Sequence, residues 1–169
     1  MEQARPVRLS VDDRGSVSTE EAMVALGKNP TWDPMSGGSF AAHGRVCPNS
    51  GEYLAISYSM VLPPYARLDV FDKEGTPVET RPIDVREPVM IHDLAITENF
   101  AVVLDGALAM RVTDVLFNKF PVAFDEAKQA RLGLAPRKGG PTVWCDVEPY
   151  VALHCANAYE DGRGHVVVQ

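Results

Sequence analysis

The chain is 169 residues long, 46% hydrophobic by residue type and formally charged at −7, enough length and apolar content for a packed core without obligatory disulfides or metals. That acidic balance, with no clustered Lys/Arg face, excludes a nucleic-acid polyanion as partner and disfavours binding to an anionic membrane through charge. Three cysteines, Cys47, Cys145 and Cys155, form an odd set with no C-x-x-C spacing, so neither a disulfide framework nor a zinc knuckle is implied, and a reducing, cytoplasmic compartment is the simplest expectation.

From Met1 to Asp12 the chain is polar, with two arginines and no apolar h-region, so no secretory signal is read there. No apolar run approaches the roughly 18 residues of a spanning helix. The first stretch mixes Gly, Ser, Asp and Pro, and only Glu20–Leu26 predicts a turn or two of helix. Beyond Gly51 the texture becomes β-branched and aromatic: Glu52–Met60 and Arg67–Asp72 predict strands, and Lys73-Glu74-Gly75-Thr76 before Pro77 predicts a tight hairpin turn.

Phe100–Leu104, entered through Thr97-Glu98-Asn99 and left through Asp105-Gly106, predicts a buried central strand. Asp114–Ala130, interrupted by Pro121, reads as a helical or irregular insertion between strands. After the Pro136-Arg137-Lys138-Gly139-Gly140-Pro141 loop, Thr142–Val147, Tyr150–His154 and His165–Val168 again predict strands. The fold class expected is all-β. The last of these strands is apolar and would need a neighbour on each side, so a break in mid-fold at the C-terminus is the expectation.

Four histidines occur. Three share a setting: His43 follows Phe40-Ala41-Ala42, His92 follows Val89-Met90-Ile91, and His154 follows Val151-Ala152-Leu153. Each is expected to point from a buried strand end into the interior or a central channel, where an imidazole needs partners for both nitrogens and a metal supplies one. Their separations, 49 and 62 residues, are too long for a local finger or a helical H-E-x-x-H site, so the ligands must come from separate elements that converge. A β-propeller brings inner strands of successive blades to one axis, although other folds can also gather distant histidines. His165, after Asp161-Gly162-Arg163-Gly164, reads as a surface turn residue.

Four runs then carry a resemblance. Ala42-His43-Gly44-Arg45-Val46-Cys47-Pro48-Asn49-Ser50-Gly51-Glu52 looks like the segment of carotenoid cleavage oxygenases that presents the first iron ligand and turns through a Thr/Ser-Gly-Glu hairpin. His92-Asp93-Leu94-Ala95-Ile96-Thr97-Glu98-Asn99 resembles that family's second-ligand motif, differing only at Leu94. Arg131-Leu132-Gly133-Leu134-Ala135-Pro136-Arg137 is similar to a family loop, and His154-Cys155-Ala156-Asn157-Ala158-Tyr159-Glu160 resembles the segment of the third ligand. The first run departs from the family at Gly44-Arg45, where Pro-Lys is usual, and at Cys47, where an acidic residue is usual.

The resemblance implies part of a seven-bladed β-propeller, with residues 1–169 forming one partial domain of roughly two to three blades. It implies Fe(II) held by His43, His92 and His154, with a fourth histidine and the glutamates that bond to the ligating rings expected outside this chain. It further implies O2 and a lipophilic polyene or stilbene-type small molecule as reactants, cleavage of a conjugated carbon–carbon double bond to carbonyl products, and peripheral membrane contact for substrate uptake. On this view Asp93, Asn157 and Glu160 fix local turns, and the 169 residues by themselves turn over poorly. Met60-Val61-Leu62-Pro63-Pro64-Tyr65 reads equally as a tunnel loop or an ordinary connection. Two rival readings are a non-catalytic β-domain with structural histidines and a three-histidine zinc hydrolase; against the latter, no general base stands beside the ligand motifs.

Overall fold

Asp72 shows how local chemistry sets the strands: its Oδ1 accepts the backbone N–H groups of Glu74 and Thr76, and Gly75 takes a φ of +82° that only glycine adopts freely. The computed structural model describes residues 9–19, 38–59 and 62–169. The short helix expected at Glu20–Leu26 lies outside them, as do residues 60 and 61 of Met60–Tyr65, the run that reads equally as a tunnel loop or an ordinary connection. A first small hairpin pairs β1 (Leu9–Val11) with β2 (Val17–Thr19) around Asp12, whose Oδ1 makes the same kind of turn.

The first large sheet contains β3 (Gly38–Phe40), β4 (Arg45–Val46), β5 (Tyr53–Ser59), β6 (Ala66–Phe71) and β7 (Pro77–Ile83), with β3 and β4 both pairing β5. The second has the order β13-β12-β9-β8, built from β8 (Leu94–Ile96), β9 (Phe100–Asp105), β12 (Ala130–Pro136) and β13 (Val143–Val147). Between β9 and β12 the chain inserts β10 (Leu108–Met110), a one-turn helix α1 (Val112–Val115) and β11 (Val122–Phe124), with β10 and β11 paired to each other. A last hairpin joins β14 (Ala158–Glu160) to β15 (Val166–Val168). All the pairings among the described residues are antiparallel.

The unbroken apolar run of β9 has its explanation in the packing. Ala101 and Val103 face the first sheet, among Leu54, Ile56, Leu68 and Leu94. Val102 and Leu104 face the other way, among Cys155, Ala158, Val166 and Val168. A strand covered on both faces loses polar alternation; β9 is the buried central strand the sequence predicts, and it forms the wall between two core layers.

Three expectations need correction. Arg131–Pro136 is not a loop: it is β12, an interior strand flanked by β9 and β13. Gly133 is there because the Trp144 ring lies across it, 2.7 Å from where a Cβ would sit, and Pro136 is tolerated because it ends the strand. Tyr150–His154 forms no strand; the Tyr150 carbonyl instead accepts the N–H of Ala107 and leaves the ladder at that point. Asp114–Ala130 is inserted between strands as expected, but besides part of one helical turn it holds a strand, β11, paired to β10.

Candidate metal centre

Each of the three singled-out histidines lies in the connection just before a short strand: His43 before β4, His92 before β8, His154 before β14. β8 packs against both β4 and β14, so the three connections meet at one end of three neighbouring strands. None of the rings sits on a strand, contrary to expectation. His43 and His92 are half-buried, while His154 is exposed within this chain.

The three rings nevertheless converge. Their centroids are 5.0 Å (His43 and His92), 4.9 Å (His43 and His154) and 5.1 Å (His92 and His154) apart, and one nitrogen from each falls in a set lying within 4.8 Å of one another. Imidazole nitrogens bind a divalent ion at about 2.1 Å, which places adjacent ligand atoms about 3 Å apart; small side-chain rotations close the difference. Three neutral nitrogen donors suit Fe(II), Zn(II) and related ions, so the residues present fit a metal.

Backbone and charge tie the three connections together below the rings. The His43 N–H donates to the His92 carbonyl at 3.3 Å. Asp93, which is buried, accepts the Leu94 N–H on Oδ1 at 2.8 Å, and on Oδ2 it accepts Arg45 Nη2 at 2.7 Å and the Cys155 N–H at 3.0 Å. Arg45 Nη2 also donates to the Cys155 carbonyl at 3.2 Å. Next to His43, Gly44 has no room for a side chain: a Cβ would lie 2.1 Å from the Tyr53 hydroxyl.

Farther along the same strands a second set of ties forms. Glu160 accepts from the Thr97 hydroxyl at 2.6 Å and from the backbone and side-chain amides of Asn99 at 2.8 and 2.9 Å, bonds that hold its carboxyl below the usual range. Arg137 donates to Glu52 at 2.8 Å and to the Thr97 and Glu98 carbonyls. A cavity of about 530 Å³, whose walls include Arg45, Cys47, Arg137 and Glu160 but none of the three histidines, opens between these segments. In its wall the Cys47 thiol is drawn down to about 7, chiefly by the Ser50 hydroxyl, with burial opposing and Arg137 assisting. His165 is an exposed turn residue, its Nδ1 2.8 Å from Asp161 Oδ2.

The family described as Retinal pigment epithelial membrane protein matches residues 2–169. The chain belongs to this family. Among its curated relatives are a carotenoid 9,10(9′,10′)-cleavage dioxygenase 1 of Phaseolus vulgaris, 37% identical over 134 residues that cover 77% of this chain and 24% of that protein, and a zeaxanthin 7,8(7′,8′)-cleavage dioxygenase of Crocus sativus, 33% identical over 167 residues that cover 96% and 42%.

Solved structures agree with that placement. Cobalt-substituted Synechocystis ACO matches at a TM-score of 0.78 and 25% identity, covering 99% of this chain and 35% of that one. A Pseudomonas brassicacearum lignostilbene dioxygenase matches in fold at a TM-score of 0.81 and 20% identity, covering 99% and 34%. The sheets described above are thus blades of the family's seven-bladed β-propeller, and the chain spans about a quarter of the length of the Phaseolus relative.

What the sequence missed is the bonding beneath the rings. Asp93 was expected to fix a local turn, and it does bond Leu94, but it also reaches Arg45, 48 residues away, and Cys155, 62 residues away. A carboxylate directly after a candidate ligand, in an otherwise apolar run, was the one available signal.

Proposed function

We propose that the protein is a non-haem Fe(II) dioxygenase that cleaves a conjugated carbon–carbon double bond of a carotenoid, apocarotenoid or stilbene-like substrate to two carbonyl products. The observation that carries this reading is the meeting of His43, His92 and His154, with nitrogens within 4.8 Å of one another, in a member of a family whose curated relatives are carotenoid cleavage dioxygenases. These three residues would hold the ion. Fe(II) bound by neutral imidazoles supplies the binding and activation of O2. Residues 1–169 are read as part of one propeller domain.

The chain's own groups do the positioning. The imidazoles must be deprotonated to ligate, and the Asp93 and Arg45 bonds fix the backbone that carries them. The insertion leaves β9 at the end where His92 enters β8, and the Met90 N–H and Leu108 carbonyl bond it to the segment before His92. Within this chain, which spans only part of its relatives' length, it leaves Leu116, Phe117 and Phe120 exposed, side chains suited to a lipophilic substrate and to peripheral contact with the membrane that dissolves it. A hydrolase would need a base beside a metal-bound water; the carboxylate nearest in sequence to a ligand, Asp93, is instead engaged by Arg45 and two backbone amides.

The test is iron content, O2 uptake and carbonyl product formation by the full-length protein on a carotenoid, an apocarotenoid and a stilbene, beside His92→Ala. The reading expects stoichiometric iron and turnover lost in the variant. Retained turnover in His92→Ala, or stoichiometric zinc without O2 uptake, contradicts it.

A further inference from the structure

Three short connections carry the three histidines, and they are far apart along the chain. Something must fix their relative positions to within a few tenths of an ångström, because a metal site tolerates little error in ligand placement. Main-chain contact between the connections is sparse: the one backbone bond from a ligand residue to another ligand residue among the described residues is His43 N–H to His92 carbonyl, at 3.3 Å.

A single carboxylate joins all three. Asp93 is adjacent to His92, Arg45 is two residues after His43, and Cys155 is adjacent to His154. Asp93 Oδ2 accepts from Arg45 Nη2 at 2.7 Å and from the Cys155 N–H at 3.0 Å, while the same Arg45 nitrogen donates to the Cys155 carbonyl at 3.2 Å. The result is a closed three-membered ring of contacts, one from each connection. The carboxylate is only 1% exposed, so its bonds to a cation and two amides are short, charge-assisted and little screened by solvent.

We propose that Asp93 and Arg45 form a clasp that sets the spacing of His43, His92 and His154, and are therefore positioning residues for the metal centre. This rests on the reading of the three histidines as ligands. It goes beyond that reading because neither residue is one of the three proposed ligands: both act through the backbone beside a histidine, at Leu94 and Cys155. A purely architectural ion pair would alter stability alone; a clasp alters how tightly, and in what geometry, the three nitrogens hold a metal.

The experiment is Co(II) titration of the full-length protein after metal removal, followed by visible absorption and calorimetry, with thermal unfolding recorded on the same samples. Wild type, His92→Ala, Asp93→Asn, Arg45→Gln and Arg45→Lys are compared. Partners that orient metal ligands typically contribute about 10 to 100-fold in affinity, so Asp93→Asn and Arg45→Gln are expected to weaken Co(II) binding by about that factor and to shift its absorption bands. Arg45→Lys, which keeps the charge, is expected to recover part of the affinity. Arg45 is partly exposed and its replacement leaves both backbone bonds of Asp93 in place, so Arg45→Gln supplies the comparison if Asp93→Asn does not fold. Unchanged affinity and spectrum in Arg45→Gln, whatever its melting temperature, overturns the clasp while leaving the ligand assignment standing. Co(II) binding as tight in His92→Ala as in wild type overturns the ligand assignment, and the clasp with it.

Discussion

Replacing Asp105 with Asn removes the one buried carboxylate between two buried cations. Arg131 donates to Asp105 Oδ2 through Nε at 3.1 Å and Nη2 at 2.7 Å, and Lys128 bonds Oδ1. The three side chains are 2–3% exposed. In Asp105→Asn the Arg131 and Lys128 charges stay inside, with the half-exposed Glu87, 3.9 Å from Lys128, and the charge of Asp125 near Lys128 as partial compensation. Removing one partner of a buried ion pair costs about 3–5 kcal/mol, and that is the destabilisation expected. Arg131→Met is a different perturbation. It leaves Asp105 paired with Lys128, loses the stacking of the guanidinium 3.9 Å over the Trp144 ring and the bond to the Asp84 carbonyl, and gains apolar packing. Its cost is expected to be about 2–3 kcal/mol, from charged hydrogen bonds and a cation–π contact partly offset by burial. Equilibrium urea denaturation of both variants and wild type, at constant m-value, gives the ordering. A loss below about 1 kcal/mol in Asp105→Asn, or a larger loss in Arg131→Met than in Asp105→Asn, would refute the uncompensated-charge argument.

Other outcomes follow from the same geometry. The Cys47 thiol ionises at about 7 in place of 9.0, so thiolate absorbance at 240 nm should show a step near pH 7 that vanishes in Cys47→Ser and moves upward in Ser50→Ala; a lowest thiol step near pH 9 in wild type would contradict it. Because the folded state depresses this pKa, the contribution to stability is fully present above about pH 9 and is lost as pH falls through about 7. Gly44→Ala puts a methyl into the Tyr53 ring and should cost about 1–3 kcal/mol by overpacking, with Gly44→Ala/Tyr53→Leu recovering part of it; an unchanged melting temperature in the single variant would show that the ring moves freely. Glu160 is held below its ordinary value of 4.5 by Thr97 and Asn99, so the stability it lends is present above about pH 4.5 and falls away in stronger acid, and Glu160→Gln should flatten that acid limb of the denaturation profile.

Much of this architecture is legible from local chemistry. The Asp72–Thr76 turn, the strands on either side of it and the doubly buried β9 are each specified by a few neighbouring residues. The three histidines are legible because each follows an apolar run and sits in a recognisable motif. β12 is not, since Arg131, Gly133 and Pro136 each argue against an interior strand when taken singly. Only the fold supplies Asp105 to receive Arg131 and Trp144 to cover Gly133. Tyr150–His154 misleads in the opposite direction: its residues have strand character, but the tie from Tyr150 to Ala107 takes the backbone out of any ladder. Arg45 and Asp93 pair across 48 residues, and nothing in the spacing of two charged residues announces such a bond.

The proposed site has one ion shared by three imidazoles from distant parts of the chain. Anomalous diffraction at the iron edge from crystals of the iron-loaded full-length protein measures this directly. A single peak about 2.1 Å from a ring nitrogen of each of His43, His92 and His154 is the predicted result. Iron located elsewhere, or bonded to fewer than all three rings, would contradict it.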